Sequence, residues 1–357
     1  MDASTVPRRD DHIFLTLDGM RGVAAICVVV YHAYWLVPGL RVPGGYLAVD
    51  LFFVLSGFVL THAYGARFTR GLRTRPFMAQ RVLRLYPMYA IGTLLTGVGT
   101  AVNMIIGHGR YSWSEFGVIA STAAAMLPAP LFLSNYAIYP LNTPAWSLFY
   151  ELLSNAIFVA VWAKLTRPRL MLLIIAGGVG MVGVIFARGD ANVGYDWWTF
   201  LEGLPRVTFS FFLGVLLYRL HRSIRVGPGL AWLIPFALLP VFLATPDHRV
   251  LYEVFTVLLL LPTLVLVGAS SEPSVAVGHL FRALGRISYP LYAIHEPLIR
   301  LSLALANHLH IDLKRHHSIV GILAIAAMCL LAWLLDRFVD GSARRLLRAR
   351  LPRRVFA

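Results

Sequence analysis

Residues 17–32 read LDGMRGVAAICVVVYH. The stretch is apolar enough to cross a membrane, yet it carries Asp18, Arg21 and His32. A charge inside a membrane span is costly and belongs against a protein interior or a water-filled cavity. At 3.6 residues per turn, the step from Arg21 to His32 is three turns plus roughly 20°, so both fall on one face. Asp18, one turn before Arg21, falls on the same side. The axial gap from Arg21 to His32 is about 16 Å, roughly half of a hydrocarbon core. One helix face therefore presents a cation at one depth and a titratable imidazole at another.

The surrounding chain supports a membrane setting. Its 357 residues are 58% hydrophobic and only 14% charged, and the mean hydropathy is +0.69. That composition excludes an ordinary soluble domain. The net charge of +15 does not point to nucleic acid, because the basic residues sit between apolar spans and gather on alternate loops. They read as positive-inside signals facing anionic lipid. Cys27 and Cys329 both lie in apolar spans and read as small core residues. The polar start MDASTVPRRDD and the arginine in the following span favour an uncleaved first helix over a signal peptide.

Hydropathy and arginine placement predict an all-α, polytopic helix bundle with about ten transmembrane helices and both termini cytoplasmic. The spans run about Ile13–Leu36, Tyr46–Tyr64, Leu85–Ile106, Pro144–Lys164, Leu170–Ala187, Leu204–Leu220, Leu230–Ala244, Leu251–Ala269, Ile287–Leu309 and Ile319–Leu335. Arg67, Arg70, Arg73, Arg75, Arg81 and Arg84, with no acid among them, form the strongest inside marker. Residues Glu115–Leu133 carry Pro128 and Pro130 and cannot be a simple crossing, since the spans on either side both end outside. They are expected to be re-entrant or interfacial. No connector is long enough for an appended globular domain. Residues 1–340 therefore read as one membrane domain and 341–357, with six arginines, as a basic cytoplasmic tail.

Several polar residues stand out. His32 suits accepting and returning a proton near neutral pH, although a lone membrane histidine can simply bond a carbonyl. Arg81 and Arg84 are one turn apart in QRVLRLYP. Their planar donor forks suit phosphate, and a plain positive-inside anchor is the alternative. Glu151, in NTPAWSLFYELLSN, falls at roughly the depth of His32 and is a candidate to orient it. Asn142, Trp146 and Ser147 stand at the outer entrance of that span, where they could line a hydroxylated acceptor. Trp146 could equally be a belt residue. Asp50, at the outer mouth of the second span, is a further acceptor candidate or a helix cap. His295 is a possible second site residue, while its neighbour Glu296 is expected to pair with Arg300 four residues on. His308, His310, His316 and His317 show no compelling ligand spacing, so no metal site is expected. The soluble-enzyme signatures GxSxG, HExxH and P-loop do not occur.

Five stretches together resemble the membrane acyltransferase-3 family of bacterial O-acyltransferases. They are LDGMRGVAAICVVVYH, GGYLAVDLFFVLSGFVL, AQRVLRLYP, NTPAWSLFYE and ISYPLYAIHEPLI, and they cover most of the chain in order. The resemblance implies a ten-span bundle in the bacterial inner membrane. It implies transfer of an acyl group, usually acetyl, from cytoplasmic acyl-CoA as co-substrate to a hydroxyl of a carbohydrate or other small acceptor. Arg21 and His32 match the family's Arg–His pair, and Arg81 and Arg84 its RxxR pair. Some relatives carry a further esterase-like extracytoplasmic domain, and this chain is expected to work without one. Direct transfer and transfer through an acylated residue both remain open. Intramembrane charges and proline-interrupted helices also occur in proton-coupled transporters, the rival reading, and a non-catalytic subunit that binds a glycan or lipid-linked intermediate is a third.

Overall fold

Small residues set the packing of this chain, because they let helix backbones approach closely. The computed structural model describes residues 12–350 apart from 36, 38, 134–135, 222–226, 228, 230 and 309–316. Its helices in order are α1 (Leu15–His32), α2 (Ala48–Thr69), α3 (Thr74–Ile105), α4 (Trp113–Ala124), α5 (Trp146–Val161), α6 (Arg167–Arg188) and α7 (Gly203–Leu220). They are followed by α8 (Leu233–Phe236), α9 (Leu238–Leu243), α10 (Arg249–Phe255), α11 (Leu261–Ala269), α12 (Val275–His308), α13 (His317–Leu334) and α14 (Gly341–Arg350). Single π-helical stretches join α10 to α11 and α13 to α14. Among the described residues, extended structure is limited to one isolated bridge, Ala137 to Asp196. The chain is a multi-pass helical membrane protein, with eight helical segments among the described residues long and apolar enough to span a bilayer.

Two expected boundaries move. The third span begins at Thr74 rather than Leu85, so Arg81 and Arg84 lie inside α3 and not at its mouth. Met, Ala, Gln and Arg are good helix formers, and Pro76 sits in the first turn, where it costs no backbone bond. The expected span Leu230–Ala244 is instead the short pair α8 and α9, interrupted at Ala237. Its eleven residues reach only about 16 Å, half of a hydrocarbon core. The doubtful segment 115–133 holds the 12-residue α4, about 18 Å long and too short to cross alone. Ser112 and Glu115 close a reciprocal capping box at its start. His310 and His316 lie outside the described residues.

Helix α12 lies along α1 over Gly19, Gly22 and Gly285. A Cβ on Gly22 would meet the Cβ of Leu284 at 2.4 Å, and one on Gly285 would meet the Cβ of Asp18 at 2.6 Å. A second close crossing joins α2 to α7, where a Cβ on Gly57 or Gly214 would approach a carbonyl oxygen of the other helix to 1.9 or 2.0 Å. Such small-residue contacts replace the hydrophobic drive that lipid cannot supply. Gly22→Val or Gly285→Val is expected to lower stability by at least about 1–3 kcal/mol, the usual cost of overpacking. Gly183→Ala, where nothing lies within 4 Å of the new atom, should leave it unchanged. Thermal unfolding in detergent compares the three; equal midpoints would mean that the α1–α12 contact is loose.

Candidate active site

Five helices bring the polar residues of the sequence to one cavity of about 120 Å³. Arg21 enters from α1, Ser56 from α2, Arg81 and Arg84 from α3, Ser147 and Glu151 from α5, and Tyr289 and Tyr292 from α12. The rest of the wall includes Phe52, Phe53, Leu85 and Leu148. Arg81 is buried and donates to Glu151 Oε1 at 2.5 Å, and Ser56 Oγ donates to the same oxygen at 3.4 Å. Arg21 donates to Asp18 at 2.9 Å. Arg84 has no hydrogen-bond or ion-pair partner among the described residues. With Arg21 held by Asp18 and Arg81 by Glu151, Arg84 is the guanidinium in excess, and its donors are left over for an anion.

The far wall, Phe52 and Tyr292, backs onto a pair of histidines. The rings of Phe52 and Tyr292 touch edge to face at 5.7 Å, and Tyr292 packs on His295 at the same separation. His295 is fully buried, and its Nε2 lies 3.3 Å from His32 Nδ1. The hydrogen-bond network assigns the protons. His295 Nδ1 lies 2.8 Å from the Tyr292 carbonyl and so carries a hydrogen, leaving Nε2 as an acceptor. His32 Nδ1 faces that acceptor and also the Val28 carbonyl at 2.9 Å, so it too must be the donor. The lone pair of His32 is then on Nε2, the form a general base requires.

The structure reassigns several candidates. Glu151 does not orient His32: its carboxylate is taken by Arg81 and Ser56, and the ring beside His32 belongs to His295. Asp50 does not meet an acceptor at the outer mouth. It is 1% exposed and held by the fully buried Arg206, whose Nη2 lies 2.8 Å from Oδ2 and whose Nε bonds both oxygens. The remaining Arg206 donors go to the carbonyls of Val193 and Tyr46. Trp146 is neither a belt residue nor on the cavity wall; its ring is buried and lies 5.4 Å from the Arg206 guanidinium. Asn142 is buried and donates to the Ala293 carbonyl, tying the turn that precedes α5 to α12. Ser147 does line the cavity and shares a 2.7 Å hydrogen bond with Tyr292. Glu296 and Arg300 form the expected pair.

Sequence reading passed over Arg206, Tyr289 and Tyr292. Arg206 was signalled by a lone arginine in the otherwise apolar GLPRVTFSFF. Tyr289, Tyr292 and His295 follow a spacing of about one helical turn in ISYPLYAIHEP, one stripe of α12. Among the described residues no group of three or more metal-ligating side chains converges.

The family model described as an acyltransferase domain, Acyl_transf_3, matches residues 14–337. The chain belongs to this family. It is an acyltransferase of the non-aminoacyl class, which sets the transporter reading aside. It is 37% identical over 175 residues to protein 2 of the picA locus of Rhizobium radiobacter, covering 46% of this chain and 91% of that one. It is 26% identical over 331 residues to a putative membrane-bound transacylase of Komagataeibacter xylinus, covering 87% and 78% respectively. The peptidoglycan O-acetyltransferase of Listeria monocytogenes is 22% identical over 367 residues, covering 92% of this chain but 56% of that protein. No solved structure matches the chain.

Arg206→Met would leave the Asp50 carboxylate buried without a partner. It is expected to destabilise the protein by about 3–5 kcal/mol, with partial recovery in the double variant Asp50→Asn, Arg206→Met. Unfolding midpoints measure both; an unaffected single variant would mean that water reaches Asp50.

Proposed function

We propose that this acyltransferase moves an acyl group, acetyl in the simplest case, from acyl-CoA on the cytoplasmic side of the bacterial inner membrane to a hydroxyl acceptor on the outer side. Arginine placement supports that orientation. The observation that carries the reading is the cavity itself: three arginines from two helices at one end, and the His32–His295 pair behind its Phe52–Tyr292 wall. Arg84, with Arg81 and Arg21, binds the donor phosphates through charge-assisted bonds. Phe52, Phe53 and Leu148 offer an apolar lining for the pantetheine arm.

In the proposed reaction His32 Nε2 takes the proton of the acceptor hydroxyl as its oxygen attacks the thioester carbon. The carbon–sulfur bond breaks, and the CoA thiolate leaves with the proton returned by the imidazolium. His295 positions the base: its Nε2 lone pair accepts from His32 Nδ1–H, a bond that strengthens as His32 becomes cationic. Glu151 acts on the donor side by holding Arg81. The acceptor is a glycan or another hydroxylated molecule, and relatives named for peptidoglycan O-acetylation favour a cell-envelope carbohydrate.

The test is acyl transfer by the purified protein from acetyl-CoA to a soluble sugar acceptor. His32→Ala is expected to lower kcat about 10²–10⁴-fold without changing donor affinity. Arg84→Ala is expected to raise the donor KM about tenfold or more, the loss of one charge-assisted contact. Full activity of the histidine variant would remove His32 as base, and an unchanged donor KM would remove the phosphate role.

A further inference from the structure

Away from the cavity, α3 and α4 frame an apolar groove of about 470 Å³. Its α3 wall runs from Tyr86 to Ala101, about 22 Å along the helix. Gly97, Ala101, Ala120 and Ala124 keep it open, while Leu94 and Val98 beside it are exposed. Toward the end of α3 opposite Arg81 and Arg84, next to Leu141 of the groove, lies a second pocket of about 450 Å³ with a different lining. Asn103, His108, Arg110, Tyr111 and Arg300 all offer hydrogen-bond donors there, and among the described residues no carboxylate lines it.

The two arginines differ. Arg300 is balanced by Glu296 and donates to the Pro140 carbonyl at 3.1 Å and to Thr143 Oγ1 at 3.0 Å. Three of its five N–H groups are thereby used, and two remain. Arg110 has no ion-pair or hydrogen-bond partner among the described residues. An apolar groove about 22 Å long beside a basic pocket whose Arg110 is uncompensated complements an amphiphile with one anionic end.

We propose that the α3–α4 groove and the Arg110–Arg300 pocket together bind a single-chain lipid phosphate, with the chain along α3 and the phosphate between the two arginines. The phosphate matches the guanidinium forks and the surrounding donors. The chain replaces the bilayer contact that Gly97 and Ala120 leave unfilled. Arg300 is five residues beyond His295 on α12, about 7.5 Å along the axis, so the headgroup would sit within two turns of the histidine pair. The binding claim is independent of the donor chemistry above.

The test uses the purified full chain in detergent, titrated with farnesyl phosphate, with farnesol and inorganic phosphate as the separate halves. Farnesyl phosphate is expected to bind and to raise the unfolding midpoint, and neither half should do so at the same concentration. Arg110→Gln, a surface change that breaks no contact, should weaken binding about tenfold. Gly97→Leu with Ala120→Leu should fill the groove and weaken it similarly, while the ligand-free midpoint stays that of the parent. Unchanged binding by Arg110→Gln or by the filled groove would overturn the assignment. Equal competition by inorganic phosphate would reduce the site to an anion pocket, and equal competition by phosphatidylglycerol would overturn the single-chain assignment.

Discussion

The close approach of α1 to α12 is the constraint on which the site depends. Gly22 and Gly285 leave no room for a side chain between the two backbones. With that spacing fixed, residues on the facing stripes meet in register along both helices. His32 reaches His295 at one level, and Asp18, beside Arg21, packs against Gly285 at another. A wider separation would break the 3.3 Å imidazole contact first, because hydrogen bonds weaken steeply with distance and angle. The packing therefore does more than stabilise the bundle. It adds a second acceptor, His295 Nε2, to the His32 Nδ1–H that the Val28 carbonyl of its own helix already holds.

Two kinds of buried ion pair operate in the same molecule, and exposure separates them. Asp50 and Arg206 are almost wholly enclosed, and every guanidinium nitrogen of Arg206 has an acceptor. Such a pair is enclosed: it joins α2, α7 and the loop at Val193 and borders no open space. Arg81 and Glu151 border open space, the neighbouring Arg84 is uncompensated, and Arg81 Nε is buried without a partner. Unsatisfied donors beside a cavity are costly unless something fills it. The two pairs differ in burial and in the donors they leave beside open space rather than in residue type.

The expectations about Glu151 and Asp50 failed for a common reason. Depth was counted for Glu151 from the sequence and matched to His32, whereas Glu151 lies in the arginine-lined cavity and bonds Arg81. Direction around the bundle cannot be counted, because it depends on which helices become neighbours. Glu151 looks toward α3 and meets Arg81, while α12 supplies the partner of His32. Asp50 was expected to meet an acceptor or cap its own helix, whereas its partner Arg206 is 156 residues away. The Glu296–Arg300 pair was legible because its geometry is contained within one helical turn.

The sequence by itself determined the class of the molecule and its family. Apolar spans of membrane length, arginines on alternate loops and the ordered motifs around Arg21, His32, Arg81 and Arg84 are local properties, fixed by composition and by the period of a helix. It also placed Arg21 and His32 on one face and at two depths. Only the tertiary structure decided what that face meets: that His295 rather than Glu151 lies beside His32, that Arg206 closes Asp50, and that Tyr289 and Tyr292 wall the cavity. Those contacts join residues far apart in the chain, and they are selected by which glycine-bearing surfaces can approach closely enough to pack.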